Sequence, residues 1–129
     1  EYITIQTKGN SQEFGELTVA RTGIGMCSSS TRGLVMAGLT PTIVNTIDYC
    51  TIATLGNFTD FGDTVVARRS GSSCSNSIRG LYGGGTTPAN LNMIDYVTIA
   101  TTADAKDFGD LTYSARGVNA NSDSHGGLG

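Results

Sequence analysis

Short segments rich in β-branched and aromatic residues alternate along this chain with clusters of Gly, Ser, Thr and Asn. Residues 47–54 alternate in character between apolar and polar positions, which predicts a strand. Further strands are predicted within residues 60–67, at the small side chains of residues 73–77, and after a turn within residues 78–83. Residues 68–72 and 84–90 predict loops, because Gly, Asn and Pro interrupt strands. No segment convincingly predicts a helix.

The same pattern returns every 47 residues. The tetrapeptide at residues 2–5 recurs at 49–52 and at 96–99, and 22 of the first 47 residues are identical in the next 47. The sequence therefore divides into copies at residues 1–47, 48–94 and 95–129 of a single repeat array. In the third copy, residues 111–116 are predicted to slip by one position, and the register returns before Gly127 and Leu128.

A period in the forties is typical either of helical solenoids or of four-stranded propeller blades, and the predicted strands favour blades. The small-residue strand is expected at the innermost position, where neighbouring blades crowd together. Tyr49 and Phe61 are expected to pack between blades, as flat apolar side chains. Gly84 and Gly85, matched by Ala37 and Gly38, are expected to let one backbone pass close to another.

The order of motifs resembles the kelch repeat. A glycine-rich end to one strand is followed by a polar loop, an Asn-x-Ile-Asp-Tyr strand, an Asp-Phe-Gly-Asp strand and an Ala-Arg pair. Phe61 and Phe108 stand where kelch repeats have Trp, and Ala37 replaces the first glycine. More closely, the chain resembles kelch-like repeats in structural and tail-fibre proteins of marine phages, cyanophages included. The resemblance implies an all-β fold of kelch-like propeller blades, each with four antiparallel strands.

Composition excludes several classes of function. The net charge of −3, with 8 basic residues spread along the chain, gives no electrostatic footprint for nucleic acid. No apolar run approaches the ~20 residues that cross a membrane. Cys27, Cys50 and Cys74 are too widely spaced for a metal site and are expected to be free thiols. His125 is the only histidine, so no histidine-based metal centre or catalytic triad is expected.

The candidate ligand-binding residues are polar side chains near predicted loops. An arginine follows the fourth strand of each copy, and two interpretations stay open: binding of backbone carbonyls or a neighbouring Asp, or a ring of cations for an anionic glycan or carboxylate. The loops after the fourth strand (residues 21–25, 68–72 and 116–120) and those between the second and third strands (39–45 and 86–92) are expected on the same face. The candidates are Arg21, Arg68, Arg69, Arg116, Asn45 and Asn92.

About three blades' worth of strands cannot close a ring, because propellers usually have 4–8 blades. The chain is expected to start in a third strand at residues 2–7 and to end in a second strand at residues 127–129. Two arrangements remain open: a homodimer that completes a six-bladed ring, in which each chain end completes a blade shared with the partner, or further repeats in a longer polypeptide.

The expected function is a non-enzymatic structural or adhesive module, without a cofactor. It would lie on a virion, its tail fibre or another extracellular surface and bind a glycan or another virion protein. One alternative is a carbohydrate-active or oxidative enzyme on a kelch scaffold, for which the acidic residues that recur in turns could supply paired carboxylates. The other alternative is a kelch-type adaptor that binds peptides through its loops.

Overall fold

The computed structural model describes residues 1–124 and has an all-β architecture, with no helix in that range. Its strands are β1 (Gly25–Ser28), β2 (Arg32–Leu39), β3 (Ile43–Thr51), β4 (Thr59–Asp63), β5 (Ser72–Ser75), β6 (Arg79–Gly83), β7 (Thr86–Thr87), β8 (Ala89–Thr98) and β9 (Lys106–Ala115). His125 and the second strand expected at residues 127–129 lie outside the described residues.

The strands form two antiparallel sheets of the same design. Sheet I has the order β1-β2-β3-β4. Sheet II repeats this order with β5, β6, β8 and β9, and the two-residue strand β7 pairs with the start of β8. The registers match as well, because Leu34 lies opposite Tyr49 in sheet I and Leu81 lies opposite Tyr96 in sheet II. Four antiparallel strands per repeat, as the sequence predicts, are therefore confirmed.

The N-terminal segment differs from its prediction. Residues 2–7 do not form a strand: only Tyr2 is bridged, to Gln12, and the chain then turns so that the Thr7 amide donates to the Thr4 carbonyl at 3.2 Å. The same turn closes 47 residues later, between Thr54 and Thr51. A third strand of this repeat ends at Thr51, the counterpart of Thr4, so the predicted strand extended into the turn that follows.

Sheets I and II pack face to face around one apolar core. Phe61 is 3% exposed and lies in this core with its Tyr49 partner, their ring centroids 5.8 Å apart. The first strands of the two sheets, β1 and β5, also contact each other, and there the Ser75 hydroxyl donates to the Ser28 carbonyl at 2.7 Å. Phe61 thus packs between the two sheets, and the small-residue strands β1 and β5 lie next to each other, whereas the innermost place expected for these strands in a propeller stays a prediction. The other core side chains come from both sheets: Leu34, Met36, Ala37, Ile47, Tyr82, Val97, Ile99 and Ala105.

The expected close backbone approach is confirmed at Ala37, Gly38, Gly84 and Gly85. Ala37 has a φ of 55° and Gly84 a φ of 67°, a left-handed conformation that favours glycine. The Gly38 amide donates to the Arg68 carbonyl at 3.0 Å, and the Gly85 amide makes the corresponding bond 47 residues later at 2.8 Å. A side chain at Gly84 would meet the Ala115 carbonyl oxygen at 2.7 Å. Through these hydrogen bonds, the chain at or beyond the end of the last strand of each sheet is held against the end of the second strand of the same sheet.

Candidate functional site

Two sets of loops lie side by side along one edge of the molecule, which we call the loop edge: residues 22–24, 69–71 and 116–119 together with the turns at 40–42 and 87–88. In sheet I, Thr22 and Leu39 exchange two backbone hydrogen bonds of 2.9 and 2.8 Å. Arg69 and Thr86 form the same bridge beside sheet II. The structure therefore brings together the two loop sets that the sequence places on one face.

A chain of backbone hydrogen bonds aligns the loop tips of successive copies. The Ser70 amide donates to the Gly23 carbonyl at 2.7 Å, and the Gly117 amide donates to the Ser70 carbonyl at 2.8 Å. All three residues have left-handed backbones, with φ values of 63°, 59° and 64°. Because equivalent residues bind one another directly, the tips form one continuous row rather than separate loops.

Beneath this row, the same buried ion pair occurs in each sheet. The Arg21 guanidinium lies 3.0 Å from Asp48, and the Arg68 guanidinium lies 3.1 Å from Asp95, with all four side chains fully buried. Each arginine also donates to a backbone carbonyl of the second strand, that of Val35 at 3.3 Å in sheet I and that of Tyr82 at 2.9 Å in sheet II. Both arginines therefore anchor the chain entering a sheet to its second and third strands.

These contacts support the first of the two interpretations of Arg21 and Arg68, in which each arginine binds backbone carbonyls and a neighbouring Asp. A buried charge is costly unless it is paired, and removing one member of such a pair typically destabilises a protein by about 3–5 kcal/mol. Their guanidinium groups face Asp48 and Asp95 rather than the surface, so a ligand at the loop edge does not reach them in this structure. The sequence did not identify Asp48 and Asp95 as the partners of these arginines, although both belong to the repeated Asn-x-Ile-Asp-Tyr motif.

The predicted slip of one residue in the third copy is wrong. Ala115, not Arg116, makes the backbone contact that Arg68 makes in the preceding copy, and Gly117 has the left-handed backbone of Ser70. The 47-residue step therefore holds to the end of β9. In this register the exposed Arg116 corresponds to the half-buried Arg69 and to the exposed Thr22. All three residues lie on the loop edge, one from each copy.

Asn45 and Asn92 lie within strands β3 and β8, so the expected loops at residues 39–45 and 86–92 are too long. The connection between the second and third strands shortens to residues 40–42 in sheet I, because β-branched Ile43 and Val44 already extend β3. Both asparagines are half-buried. The Asn45 carbonyl accepts from the Thr64 amide at 2.8 Å, which fixes the chain leaving β4.

Asp104 and its counterpart Asn57 each accept a hydrogen bond from a backbone amide of the preceding copy. The Asp104 carboxylate accepts from the Asp63 amide at 3.1 Å, and Asn57 accepts from the Glu16 amide at the same distance in the preceding copy. Since an amide fills this position as well as a carboxylate does, the position requires an acceptor rather than a charge. Partial burial, with Asp104 and Asp60 nearby, raises the pKa of Asp63.

Other chemistry is sparse in the described part of the chain. All three cysteines are free, as predicted, and burial together with Cys74 raises the pKa of the Cys27 thiol to about 12. That thiol is therefore protonated at neutral pH. Residues 1–124 contain no group of three His, Cys, Asp or Glu side chains placed to hold a metal ion. Within the same residues, no helix has the length and apolar character needed to cross a bilayer.

A scan against protein-family models matches no family, and a search of curated proteins finds no significant match.

Proposed function

We propose that this chain is a non-enzymatic adhesive module built from kelch-like propeller blades. It belongs to a virion or tail fibre, or to another extracellular surface structure. Its loop edge binds a glycan or another virion protein. No cofactor takes part in this function.

The observation that supports this proposal most strongly is the contrast between the loop edge and the frame beneath it. The frame repeats its main contacts, with an Arg–Asp pair and a Tyr–Phe pair in each sheet. The loop tips differ in every copy: Thr-Gly-Ile at 22–24, Arg-Ser-Gly at 69–71 and Arg-Gly-Val at 116–118. Variable loops on a repeated frame are where repeat proteins usually bind their partners.

The contacts between the sheets support the propeller interpretation. In a propeller, the first strand of every blade lies near a common axis, so equivalent residues of neighbouring blades approach one another. Ser28 and Ser75 are equivalent residues of β1 and β5, and they share a hydrogen bond of 2.7 Å. Gly23, Ser70 and Gly117 form a second such line at the loop edge.

The side chains at the loop edge favour a polar or acidic ligand. Arg69 and Arg116 provide guanidinium groups, which bind carboxylates with two parallel hydrogen bonds. Thr22, Thr40 and Asn119 are exposed or half-buried nearby in the loop set and add hydroxyl and amide groups. Such a row suits the hydroxyl and carboxylate groups of a surface glycan.

A glycan array, with purified particles as a second target, tests the proposal. The wild-type chain is compared with the double variant Arg69→Ser/Arg116→Ser and with the control Lys106→Ser, since Lys106 begins β9 at the end opposite Arg116. We expect binding that the double variant loses and the control keeps. Absence of binding to both targets, or equal loss in the control, would contradict the proposal.

A further inference from the structure

The interface between sheets I and II has two complementary sides. Sheet I contributes Leu34, Ile47 and Phe61, all buried. The other side consists of Val97 in β8 and Ile99 just after it, which are 3% and 1% exposed and lie in the same core cluster. The chain contains a further copy of each side, and within residues 1–124 neither copy is covered by another sheet, although residues 118–124 lie beside the copy on sheet II.

The first uncovered side is on sheet II. Phe108, the counterpart of Phe61, is 51% exposed even though it keeps the same aromatic contact, with its ring 6.0 Å from that of Tyr96. Leu81 and Ile94 are half-buried, whereas their counterparts Leu34 and Ile47 are fully buried. We call this surface the outer face: Leu81, Ile94 and Phe108.

The second uncovered side is near the N-terminus. Ile3 and Ile5 are the counterparts of Val97 and Ile99, but they are 61% and 88% exposed. We call these two residues the N-terminal ridge. The local structure around them already matches sheet II, because Tyr2 and Phe14 stack at 6.1 Å. The Thr7–Thr4 turn also matches the turn between Thr101 and Thr98.

The N-terminal ridge does not cover the outer face of its own chain. Residues 14–16 bind the connection between β3 and β4 of sheet I, where the Gly56 amide donates to the Phe14 carbonyl and the Phe58 amide donates to the Glu16 carbonyl. Sheet II packs on the other side of sheet I through Phe61 and its neighbours. The ridge and the outer face are thus separated by both sheets, so they point away from each other.

We propose that the outer face binds the N-terminal ridge of a second copy of this chain. The contact reproduces the internal interface, with Ile3 and Ile5 in the places of Val97 and Ile99. Each chain has one ridge and one outer face, so two chains related by a two-fold axis form two identical contacts and cover both surfaces. This proposal goes beyond the function of the loop edge and does not depend on what that edge binds.

The solution mass of the chain over a range of concentrations tests this assembly. We expect a dimer near twice 13.3 kDa. Ile5→Glu and Phe108→Glu should each raise the dissociation constant of the dimer by about tenfold or more, because a charge would be buried without a partner. Leu55→Lys is the matched control, since Leu55 is 60% exposed and the other copies have Lys8 and Thr102 at this position.

A mixing experiment then tests which surfaces meet. A pair formed by an Ile5→Lys chain and a Phe108→Glu chain has one unmodified contact and one contact in which the lysine faces the glutamate. At a concentration where each variant alone is mainly monomeric, mixing the two should therefore restore dimers. Circular dichroism of each variant verifies that the single chain keeps its strands. A monomer at every concentration, a larger open polymer, or a dimer that the Ile5 and Phe108 variants do not weaken would overturn the proposal.

Discussion

At the scale of single residues, Phe61 and Phe108 occupy the same position in successive copies but differ in what covers them. Each ring packs edge-on against a tyrosine, at 5.8 and 6.0 Å. Phe61 is also covered by sheet II, whereas Phe108 has no second sheet against it and is 51% exposed. The sequence predicted the packing role of this position correctly, but identical residues could not indicate which copy is covered.

This difference predicts unequal costs of truncation. Phe61→Ala should lower the free energy of unfolding by about 3–5 kcal/mol, since it leaves a cavity in the core. Phe108→Ala should cost much less in single chains, at protein concentrations below those that favour dimers. Urea unfolding of both variants measures the two values. Equal losses at low concentration would show that the two positions are equally buried.

A second residue-scale prediction concerns the buried ion pairs. The Thr18 hydroxyl donates to Asp48 Oδ1 at 2.7 Å in sheet I, but Val65 replaces this threonine beside Asp95. Asp95 Oδ1 is buried and has no hydrogen-bond partner. Val65→Thr should therefore stabilise the protein by about 1 kcal/mol, because a buried acceptor gains a donor.

The matched change in sheet I is Thr18→Val, which should destabilise the protein by a similar amount. Thermal unfolding of both variants at neutral pH provides the comparison. If Val65→Thr lowers the melting temperature, the added hydroxyl does not reach Asp95, and this description of the pair is wrong.

At the scale of elements, strand chemistry was predictable and loop register was not. The small residues of β5 and the β-branched run of β3 indicate strands directly. The Ala-Arg letters at 115–116 match those at 67–68, and this match suggested a slip that the backbone does not make. The signal that gives the correct register is Gly117, which lies two repeats, or 94 residues, after Gly23. Both glycines adopt a left-handed backbone.

The left-handed positions predict opposite effects of two related substitutions. Ala37→Gly should stabilise the protein by about 1 kcal/mol, since alanine at a φ of 55° is strained and glycine is not. Gly84→Ala, at the equivalent position, should destabilise it by more than this, because the added methyl group would meet the Ala115 carbonyl at 2.7 Å. Chemical denaturation tests both, and a loss of stability in Ala37→Gly would contradict the account.

At the scale of the whole molecule, the 47-residue period predicted the two matching sheets, since each copy contains the same strand-forming residues. The partners of buried charges were harder to predict. Arg68 follows sheet I in sequence but inserts into sheet II, where Asp95 binds it. The sequence around Arg68 does not identify Asp95 as its partner, because the two residues meet only when the strands pack together.

The central claim is that successive copies bind one another through the same backbone hydrogen bonds. Amide hydrogen exchange measured by NMR tests it most directly at Ser70 and Gly117, whose amides donate to Gly23 and Ser70, and at Gly38 and Gly85, whose amides donate to Arg68 and Ala115. The account predicts slow exchange at all four amides, although Gly117 lies at the exposed loop edge. Exchange at Ser70 and Gly117 as fast as in an unstructured peptide would contradict it.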